Sequence, residues 1–430
     1  MTLKEDTINL HRLLRGKIEI SSRISSDNIF EGSKEEGRGT LSSIYTPGVA
    51  YVSNEIQKNK ELAYDYTSKW NNIAIVCDGT RVLGLGDIGP EGALPVMEGK
   101  AVLFKTLGNV NAFPLCISIK DKEEIIKFVK AIEPSFGAIN IEDIESPKVL
   151  EIVERLQKEM SIPVFHDDRH GTAVITLAAL INALRIVQKN AKNVKVVIAG
   201  AGSAGYGIFK ILSRAGFEEI IVIDKKGAIY DGRDNKGNNE KLGNLESNKQ
   251  NDPKRDISVI LNSFKREIAL NSNPNKISGN LETAIKESDI FIGTSGIGNL
   301  MNSQMVGSMN RDPIIFALSN PTPEILPDEA KSAGARIIAT GRSDFPNQIN
   351  NAVVFPSIFR ALLDLRIRNL DEDILISVSK SIADLVDIKH LNEEFIIPKI
   401  NDPRILPVVT NSLKEYILNQ NQTDQNTIQE

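Results

Sequence analysis

Short apolar runs alternate with helical patterns along the first 190 residues of the chain. Residues 123–132 and 146–160 show helical patterns, and Ser146 and Pro147 at the start of the second are typical of a helix N-terminus. Strands that alternate with helices predict an α/β layer on a parallel or mixed sheet. The runs that we interpret as strands are residues 73–77, 115–119, 138–141 and 162–165.

The same alternation is clearer in the second region, which spans about residues 191–352. Its apolar runs are rich in Ile and Val, as buried parallel strands are. A polar stretch over 227–280 interrupts them, and we interpret it as surface structure. The runs are residues 194–199, 220–224, 289–293, 314–319 and 336–340.

The rest of the chain has mostly helical patterns, and the polar tail from Asn419 is predicted to be disordered because it cannot bury a core. The predicted fold class is α/β with three parts. They are an N-terminal α/β domain over 1–190, a Rossmann-type domain with a doubly wound parallel sheet over 191–352, and C-terminal helices over 353–430. The 430 residues also exceed the ~250–300 at which a single core stops growing.

Charge and composition narrow the class of partner. The formal net charge is −5 and no stretch is polybasic, which argues against nucleic acid or an anionic membrane. Cys77 and Cys116 are the only cysteines, so a disulfide framework is excluded and a reducing compartment fits. The N-terminus lacks the apolar core of a signal peptide, and the most apolar helical stretch, 172–187, is shorter than a membrane span. We expect a cytoplasmic protein.

A glycine-rich motif directly follows the predicted strand 194–199 and opens a helical pattern. Glycines permit a tight turn and a close approach to a pyrophosphate at the helix N-terminus. The next predicted strand ends in Asp224, where an acid accepts hydrogen bonds from ribose hydroxyls. These features predict a dinucleotide site; Asp224 favours NAD, whereas Lys225 and Lys226 leave NADP open. The motif consists of Gly200, Ala201, Gly202, Ser203, Ala204 and Gly205.

A second GxGxxG pattern, at residues 84–89, is predicted not to bind a nucleotide. Pro90 and Pro95 follow it, so we expect no helix to begin there, and Asp87 would repel a phosphate. A glycine-rich loop that brings Arg81 near an anionic ligand is the simpler interpretation.

Two pairs of acidic residues follow predicted strands. Glu142 and Asp143 come after one strand, and Asp167 and Asp168 come after another. Strand ends of this kind could form an oxygen-ligand site for Mg²⁺ or Mn²⁺, because both ions prefer carboxylates. The alternative is two solvated acidic turns, and the spacing alone favours neither.

Two histidines, His166 and His170, have the i, i+4 spacing of a zinc-binding helix. Pro163 and Gly171 bracket them, so the segment is predicted to be a strand end and a loop. This context disfavours a zinc hydrolase.

Other candidate residues carry little signal alone. Asn320 lies at the mouth of a predicted strand, where open α/β sheets bind ligands. Asn350 and Asn351 precede another apolar run, Tyr45 lies in a turn that enters a helix, and Lys100 precedes the apolar run AVLFK. An isolated Lys or Tyr usually has a surface or packing role.

Eight stretches, in this order and at this spacing, resemble malic enzymes of the short prokaryotic form. The resemblance runs from about residue 40 to the end of the nucleotide-binding region. Eight ordered motifs are far more specific than any one of them. The stretches are YTPGVA (45–50), GTRVLGLGDIG (79–89), MEGKA (97–101), IEDI (141–144), FHDDRHGTA (165–173), GAGSAG (200–205), FALSNPTPE (316–324) and GRSDFPNQINNAVVFP (341–356).

The resemblance implies a role for each candidate residue. Lys100 matches the general base that takes the proton from the malate hydroxyl, and Asp167 matches the carboxylate that pairs with this lysine. Tyr45 matches the general acid that protonates the enol. The matching metal ligands are Glu142, Asp143 and Asp168; the substrate-binding residues are Arg81, Asn320, Asn350 and Asn351; the cofactor-binding residues are 200–205 and Asp224, to which we add Lys225.

The implied activity is oxidative decarboxylation of L-malate to pyruvate and CO₂ through oxaloacetate, with reduction of NAD or NADP and a requirement for Mg²⁺ or Mn²⁺. Decarboxylation of added oxaloacetate is a second expected activity. Lys100 must be neutral to act as a base, so we expect burial and nearby cations to lower its pKa. The alternatives are a malolactic enzyme and a catalytically inactive nucleotide-sensing protein on the same fold. By analogy with short members of the family, we expect a homodimer.

Overall fold

The computed structural model describes residues 3–24, 40–82, 84–233 and 262–427. Part of the polar stretch 227–280 therefore lies outside the described residues. The strands are β1 (Asn72–Cys77), β2 (Asn111–Cys116), β3 (Ala138–Glu142), β4 (Val164–His166), β5 (Lys195–Ala199), β6 (Glu219–Asp224), β7 (Gly227–Ala228), β8 (Ile290–Gly293), β9 (Ile314–Ala317) and β10 (Ile337–Thr340).

Helices cover the sheets and form both ends of the described chain. They are α1 (Leu3–Leu14), α2 (Thr40–Ile44), α3 (Val49–Lys58), α4 (Ala63–Tyr66), α5 (Gly89–Gly108), α6 (Lys122–Ile132), α7 (Lys148–Glu159), α8 (Thr172–Val187), α9 (Ser203–Arg214), α10 (Ser263–Asn271), α11 (Leu281–Ala284), α12 (Ser303–Gly307), α13 (Pro327–Ser332), α14 (Phe355–Asp364), α15 (Glu372–Ala383) and α16 (Ile405–Thr427).

The first sheet is parallel throughout and has the order β2-β1-β3-β4. The carboxyl ends of β3 and β4 therefore meet at one edge of the sheet. β2 begins at Asn111, whereas the pattern predicted a strand over 115–119. β2 contains Pro114, which is tolerated because β2 is an edge strand.

The second sheet has the order β10-β9-β8-β5-β6-β7. Counted from β7, this is the order 3-2-1-4-5-6 of a Rossmann-type sheet. Five strands are parallel, and the short β7 pairs antiparallel with β6. The strand order reverses between β5 and β8, and ligands bind in the crevice at the carboxyl ends of such a pair. The structure confirms the predicted α/β fold class.

One hydrophobic core joins the two sheets through α8 and the C-terminal helices. α14 packs against α5, and α15 packs along α8. Asn182, on α8, is fully buried, and its Nδ2 donates hydrogen bonds of 2.9 Å to the carbonyl oxygens of Ala383 and Ile396. The C-terminal helices thus pack over the first sheet. The domain boundaries at residues 190 and 352 stay predictions.

Two segments are helical where the sequence predicted loops. α5 begins at Gly89, immediately after the second glycine motif, with Pro90 in its first turn. Proline is tolerated there because the first N–H groups of a helix have no partner within it. Asp167–Gly171 forms a π-helical turn that runs directly into α8. The loop at 84–88 and the strand end at His166 are as predicted, but the expectations that no helix begins at residue 89 and that 167–171 is a loop were wrong.

The same continuation lengthens the most apolar helix. α8 has the predicted bounds, Thr172–Val187. Together with the π-helical turn that precedes it, which the sequence did not predict, the continuous helix Asp167–Val187 has 21 residues and is the one described helix long and apolar enough to cross a membrane. However, 72% of its apolar window is buried inside the protein, which is the behaviour of a core helix. α16 also extends to Thr427, although the composition from Asn419 predicted disorder. Extending an existing helix costs less than nucleating one.

Candidate active site

The carboxylates at the ends of β3 and β4 converge, which is one of the two arrangements that their spacing left open. β3 and β4 pair in parallel, with Ile141 opposite His166, so the residues that follow each strand emerge side by side. Glu142, Asp143 and Asp168 each place one carboxylate oxygen within 4.8 Å of the others. Asp143 has φ of 47°, a left-handed conformation that Asp adopts more readily than most residues. This turn directs its side chain into the cluster.

The three carboxylates are electrostatically crowded. Burial and neighbouring carboxylates raise the pKa of Glu142 well above its ordinary value and the pKa of Asp143 to about 7. Partial burial and the charge of Asp167 also raise the pKa of Asp168. Crowded acids of this kind gain most from a divalent cation, and an all-oxygen donor set suits Mg²⁺ or Mn²⁺. The residues present therefore fit such an ion.

Lys100 projects from α5 into the same cluster. Its Nζ donates hydrogen bonds to Asp167 Oδ2 at 2.6 Å and to Glu142 Oε1, and it lies 4.7 Å from the centroid of the Phe355 ring. Burial alone would lower the pKa of Lys100, but the carboxylates of Asp167 and Glu142 outweigh burial and raise it. The expected lowering of this pKa is therefore not what the structure shows, because the nearby charges are anionic.

Asp167 is held from the opposite side by the segment that follows β10. Asn351 Nδ2 lies 3.3 Å from Asp167 Oδ2, and Thr172 Oγ1 donates to Asn351 Oδ1 at 3.2 Å. Gly171 makes this turn possible, since a Cβ there would overlap Asp167 Oδ1. Sequence reasoning missed Thr172, although it belongs to the HGTA end of a recognised stretch.

A cavity of about 520 Å³ contains most of the predicted catalytic and substrate-binding residues. Lys100, the four carboxylates, Asn320, Asn350 and Asn351 all line it. Tyr45 does not: it follows α2 in the chain and is 69% exposed. Arg81 lines the neighbouring cavity instead. Its Nη2 atom lies 3.3 Å from the position that a Cβ atom on Gly296 would occupy.

The neighbouring cavity, of about 680 Å³, lies over the carboxyl ends of β5 and β6. Gly200, Ala201, Gly202, Asp224 and Lys225 line it, as predicted for the nucleotide site. Gly200 has φ of +118°, and a Cβ on Gly205 would overlap the Gly200 carbonyl oxygen. Both positions therefore require glycine, and the turn leaves space for a phosphate to approach the start of α9.

Ala204 extends the motif into the catalytic cavity. Ser203 is the first residue of α9, so the helix begins inside the motif. Thr294 lines both cavities, so the nucleotide site and the carboxylate cluster are adjacent.

Asp224 is more heavily paired than the sequence suggested. Arg233 donates to both carboxylate oxygens at 3.0 and 2.9 Å, and Lys265 Nζ donates to Oδ2 at 2.7 Å. The Lys226 N–H also donates to Oδ1 at 2.8 Å. Burial would raise the pKa of Asp224, but these bonds outweigh burial and lower it to about 2. Sequence reasoning missed Arg233 and Lys265, because neither lies in a motif.

The doubly wound sheet, its glycine turn and the adjacent lysine and carboxylate cluster define a nucleotide-dependent oxidoreductase. Two family models match the chain: "Malic enzyme, N-terminal domain" over residues 27–127 and "Malic enzyme, NAD binding domain" over 170–409. The second covers more than half of the 430 residues. The chain belongs to the malic enzyme family.

Individual relatives agree with the family models. The chain is 44% identical over 413 residues to the bifunctional malic/malolactic enzyme of Bacillus subtilis, covering 96% of this chain and 92% of that one. It is also 44% identical over 415 residues to the NAD-dependent malic enzyme of Geobacillus stearothermophilus, covering 96% of this chain and 79% of that enzyme. The crystal structure of the NAD-dependent malic enzyme from Thermotoga maritima superposes with a TM-score of 0.83 at 43% sequence identity, covering 95% of this chain and 98% of that chain.

Proposed function

We propose that this enzyme oxidatively decarboxylates L-malate to pyruvate and CO₂ through oxaloacetate, reducing NAD or NADP and requiring Mg²⁺ or Mn²⁺. The observation that carries the proposal is the buried Lys100–Asp167 pair beside three clustered carboxylates, in a cavity that adjoins the nucleotide site. A base, a metal site and a hydride acceptor are the three components that this reaction needs.

Glu142, Asp143 and Asp168 would hold the divalent cation, and residues 200–205 with Asp224 and Lys225 would hold the coenzyme. When bound, the cation stabilises negative charge on the substrate oxygens, and the nicotinamide accepts the hydride from C2 of malate. Asn320, Asn350 and Asn351 offer amide hydrogen bonds to the substrate, and the planar fork of Arg81 suits a carboxylate.

Lys100 takes the proton of the C2 hydroxyl. For this step Lys100 must first lose its own proton, although Asp167 and Glu142 stabilise its charged form. Because Glu142 is also a ligand for the cation, part of its negative charge would be neutralised, which weakens its hold on the lysine proton. Asp167 keeps Nζ in place, and Asn351 keeps Asp167 in place.

Loss of the hydroxyl proton and of the C2 hydride converts malate into oxaloacetate. Cleavage of the C3–carboxylate bond then releases CO₂ and leaves the electron pair in the enolate of pyruvate. The resemblance assigns the proton that C3 needs to Tyr45, which in this structure is exposed and does not line the cavity. The decarboxylation and protonation steps alone would convert added oxaloacetate to pyruvate.

A malolactic enzyme is the second candidate, since the relative from B. subtilis carries that activity in its name. Such an enzyme would release lactate and no net reduced coenzyme. Asp224 favours NAD by its position at the end of β6, and the cations around it make NADP the alternative coenzyme. We keep the cytoplasm as the expected location and small molecules as the expected ligands.

One assay tests the proposal. Purified enzyme, L-malate and Mn²⁺ are mixed with NAD or with NADP, absorbance of the reduced coenzyme is followed, and pyruvate, lactate and oxaloacetate are measured at the end. Reduced coenzyme and pyruvate in equal amounts are expected. Lactate without reduced coenzyme would establish the malolactic reaction instead, and oxaloacetate without pyruvate would remove the decarboxylation step. Nucleotide binding without turnover would favour the nucleotide-sensing alternative.

A further inference from the structure

Asp78 is a buried carboxylate that lies outside both cavities. It follows β1 directly in the chain and is 0% exposed. Its Oδ1 accepts hydrogen bonds from Thr80 N at 3.0 Å and from Thr80 Oγ1 at 2.6 Å, and its Oδ2 accepts one from Lys148 Nζ at 2.8 Å. Neither Asp78 nor Lys148 lines a cavity of the candidate active site. Since a buried ion pair contributes little net stability, folding alone does not explain this one.

Lys148 occupies an unusual position for a lysine. It is the first residue of α7, where the positive end of the helix dipole disfavours a cation. Its side chain is only 16% exposed, and its Nζ also donates to the Lys120 carbonyl oxygen at 3.2 Å and lies 3.6 Å from Glu145 Oε1. The helix therefore does not account for this lysine. The buried carboxylate of Asp78 does, because it needs a cation beside it.

The bonds of Asp78 fix the loop that follows β1 against the loop that follows β3. Thr80, which donates to Asp78, accepts a hydrogen bond from the Glu145 N–H at 2.9 Å. The next residue, Arg81, donates its N–H to the Asp143 carbonyl oxygen at 3.1 Å. The two loops are therefore joined at two successive residues as well as by the ion pair.

A third contact fixes the same loop at the start of α5. The Gly79 carbonyl oxygen accepts hydrogen bonds from the N–H groups of Ile88 and Gly89 at 3.1 and 3.2 Å. Gly79 has φ of +70°, and a Cβ there would lie 2.2 Å from the Gly89 carbonyl oxygen, so this position requires glycine. Residues 78–81 are thus bonded on three sides, to α5, to the loop after β3 and to α7.

Arg81 combines this fixed backbone with a free side chain. The side chain is exposed, and its guanidinium forms no ion pair with any residue that the structure describes. It lines the nucleotide cavity beside Ser146 and Pro147, which belong to the loop after β3. With no partner to orient the guanidinium, its placement depends on the backbone that carries it. A group that must meet a substrate carboxylate gains affinity from such preorganisation.

We propose that Asp78 and Lys148 are positioning residues for Arg81, and that their ion pair holds the loop after β1 in the conformation that presents the guanidinium to a carboxylate of the substrate. This inference rests on the proposed function, in which Arg81 binds malate. Without the Lys148 cation, the Asp78 carboxylate would be buried with no counter-charge, which is strongly unfavourable. The loop would shift to expose Asp78 to water, and Arg81 would move with it.

Steady-state kinetics of two Lys148 variants test the proposal. Lys148→Met removes the cation but keeps an unbranched side chain. It should raise KM for malate at least about tenfold and leave kcat within about threefold of wild type, because a lost contact to bound substrate weakens the ground state and the transition state alike. Lys148→Arg retains the cation and should keep KM within about threefold of the wild-type value. A folded Lys148→Met enzyme with the wild-type KM would overturn the inference.

A double-mutant cycle with Arg81→Ala separates positioning from general damage to the fold. In the Arg81→Ala background, Lys148→Met should change KM for malate less than about twofold, because the residue that the pair positions is already missing. If the two effects on KM instead multiply, the ion pair acts independently of Arg81 and the inference is wrong. The cycle also detects an indirect effect through the carboxylate cluster, which Arg81→Ala leaves in place.

Lys122→Met is the matched control. Lys122 is likewise the first residue of a helix, α6, and pairs with carboxylates, those of Glu123 on α6 and Glu151 on α7. Its removal should leave both KM for malate and kcat at their wild-type values. Circular dichroism and urea unfolding verify that each variant is folded.

A second substitution decides the question if Lys148→Met does not fold. Thr80→Val removes the hydroxyl that joins Asp78 to the Glu145 N–H, but it keeps the ion pair. KM for malate should again rise, and a wild-type KM in this variant would refute the inference.

Failure of the proposed function and failure of this inference give different results. In the first case, the wild-type enzyme does not turn over malate with NAD or with NADP. In the second, the wild-type enzyme is active, and KM for malate either stays unchanged in Lys148→Met or rises independently of Arg81.

Discussion

Lys100 and Asp167 form an ion pair, with 2.6 Å between Nζ and Oδ2, and their side chains are only 14% and 2% exposed. The pair joins α5 to the turn that precedes α8. A buried lysine that bonds to two carboxylates is costly to maintain for packing alone. The position of Lys100 beside the carboxylate cluster suits a role as a base in catalysis.

Lys100→Ala should reduce kcat for malate oxidation at least about 100-fold, the typical contribution of a general base. Coenzyme affinity should change little, because Lys100 does not line the nucleotide cavity. The matched control is Lys105→Ala on the same helix, whose ammonium donates hydrogen bonds to the Asn109 and Asn111 side chains. Steady-state kinetics and calorimetry measure both effects; a variant that keeps more than a tenth of the wild-type rate would remove Lys100 from this role.

Asp168→Ala should weaken Mn²⁺ binding at least about 100-fold, more than loss of an outer partner of a ligand usually costs. The carboxylate supplies one of three clustered oxygen donors. Titration calorimetry with Mn²⁺ alone measures the change without any need for turnover. Asp65→Ala, which removes an exposed acid paired with Arg366, is the control. Unchanged Mn²⁺ affinity in Asp168→Ala would disprove the ligand assignment.

Asp224→Asn should shift coenzyme preference from NAD towards NADP by at least about tenfold in relative kcat/KM. The substitution removes the negative charge but keeps Arg233 and Lys265 in place, so a 2′-phosphate would meet two cations. The wild-type enzyme is expected to favour NAD. Asp231→Asn, at an exposed acid that pairs with Lys276, should leave the preference unchanged. An unaltered ratio in Asp224→Asn would show that this carboxylate does not select the coenzyme.

Asn182→Ala should lower the free energy of unfolding by about 2 kcal/mol or more, because two buried carbonyl groups lose their donor. Urea unfolding followed by circular dichroism measures this change. Asn275→Ala, at an exposed position with a 3.3 Å contact to Glu219, should be nearly neutral. Equal stability of the two variants would mean that the carbonyl groups find other donors.

The sequence predicted the glycine turn, and it offered the meeting of the acidic strand ends as one of two interpretations. Glu142 and Asp168 come together because parallel neighbours end at one edge of a sheet, and the Gly200 turn follows from φ and spacing that only glycine satisfies. Both inferences need only local pattern and a general rule of topology.

Other features depend on contacts between distant residues, which a pattern does not carry. Lys265 reaches Asp224 from 41 positions along the chain, and the pKa of Lys100 follows from which charges the fold places beside it. Tyr45 belongs to a recognised stretch, but its exposure depends on how the neighbouring helices pack, which the sequence pattern does not specify.

The glycine motif serves two cavities at once. Gly202 lines the nucleotide cavity and Ala204, two residues later, lines the catalytic one. A coenzyme that orders this turn therefore also fixes one wall of the malate site. The binding free energies of the two ligands should be coupled, and by thermodynamic reciprocity malate must raise coenzyme affinity by the same factor by which coenzyme raises the affinity for malate.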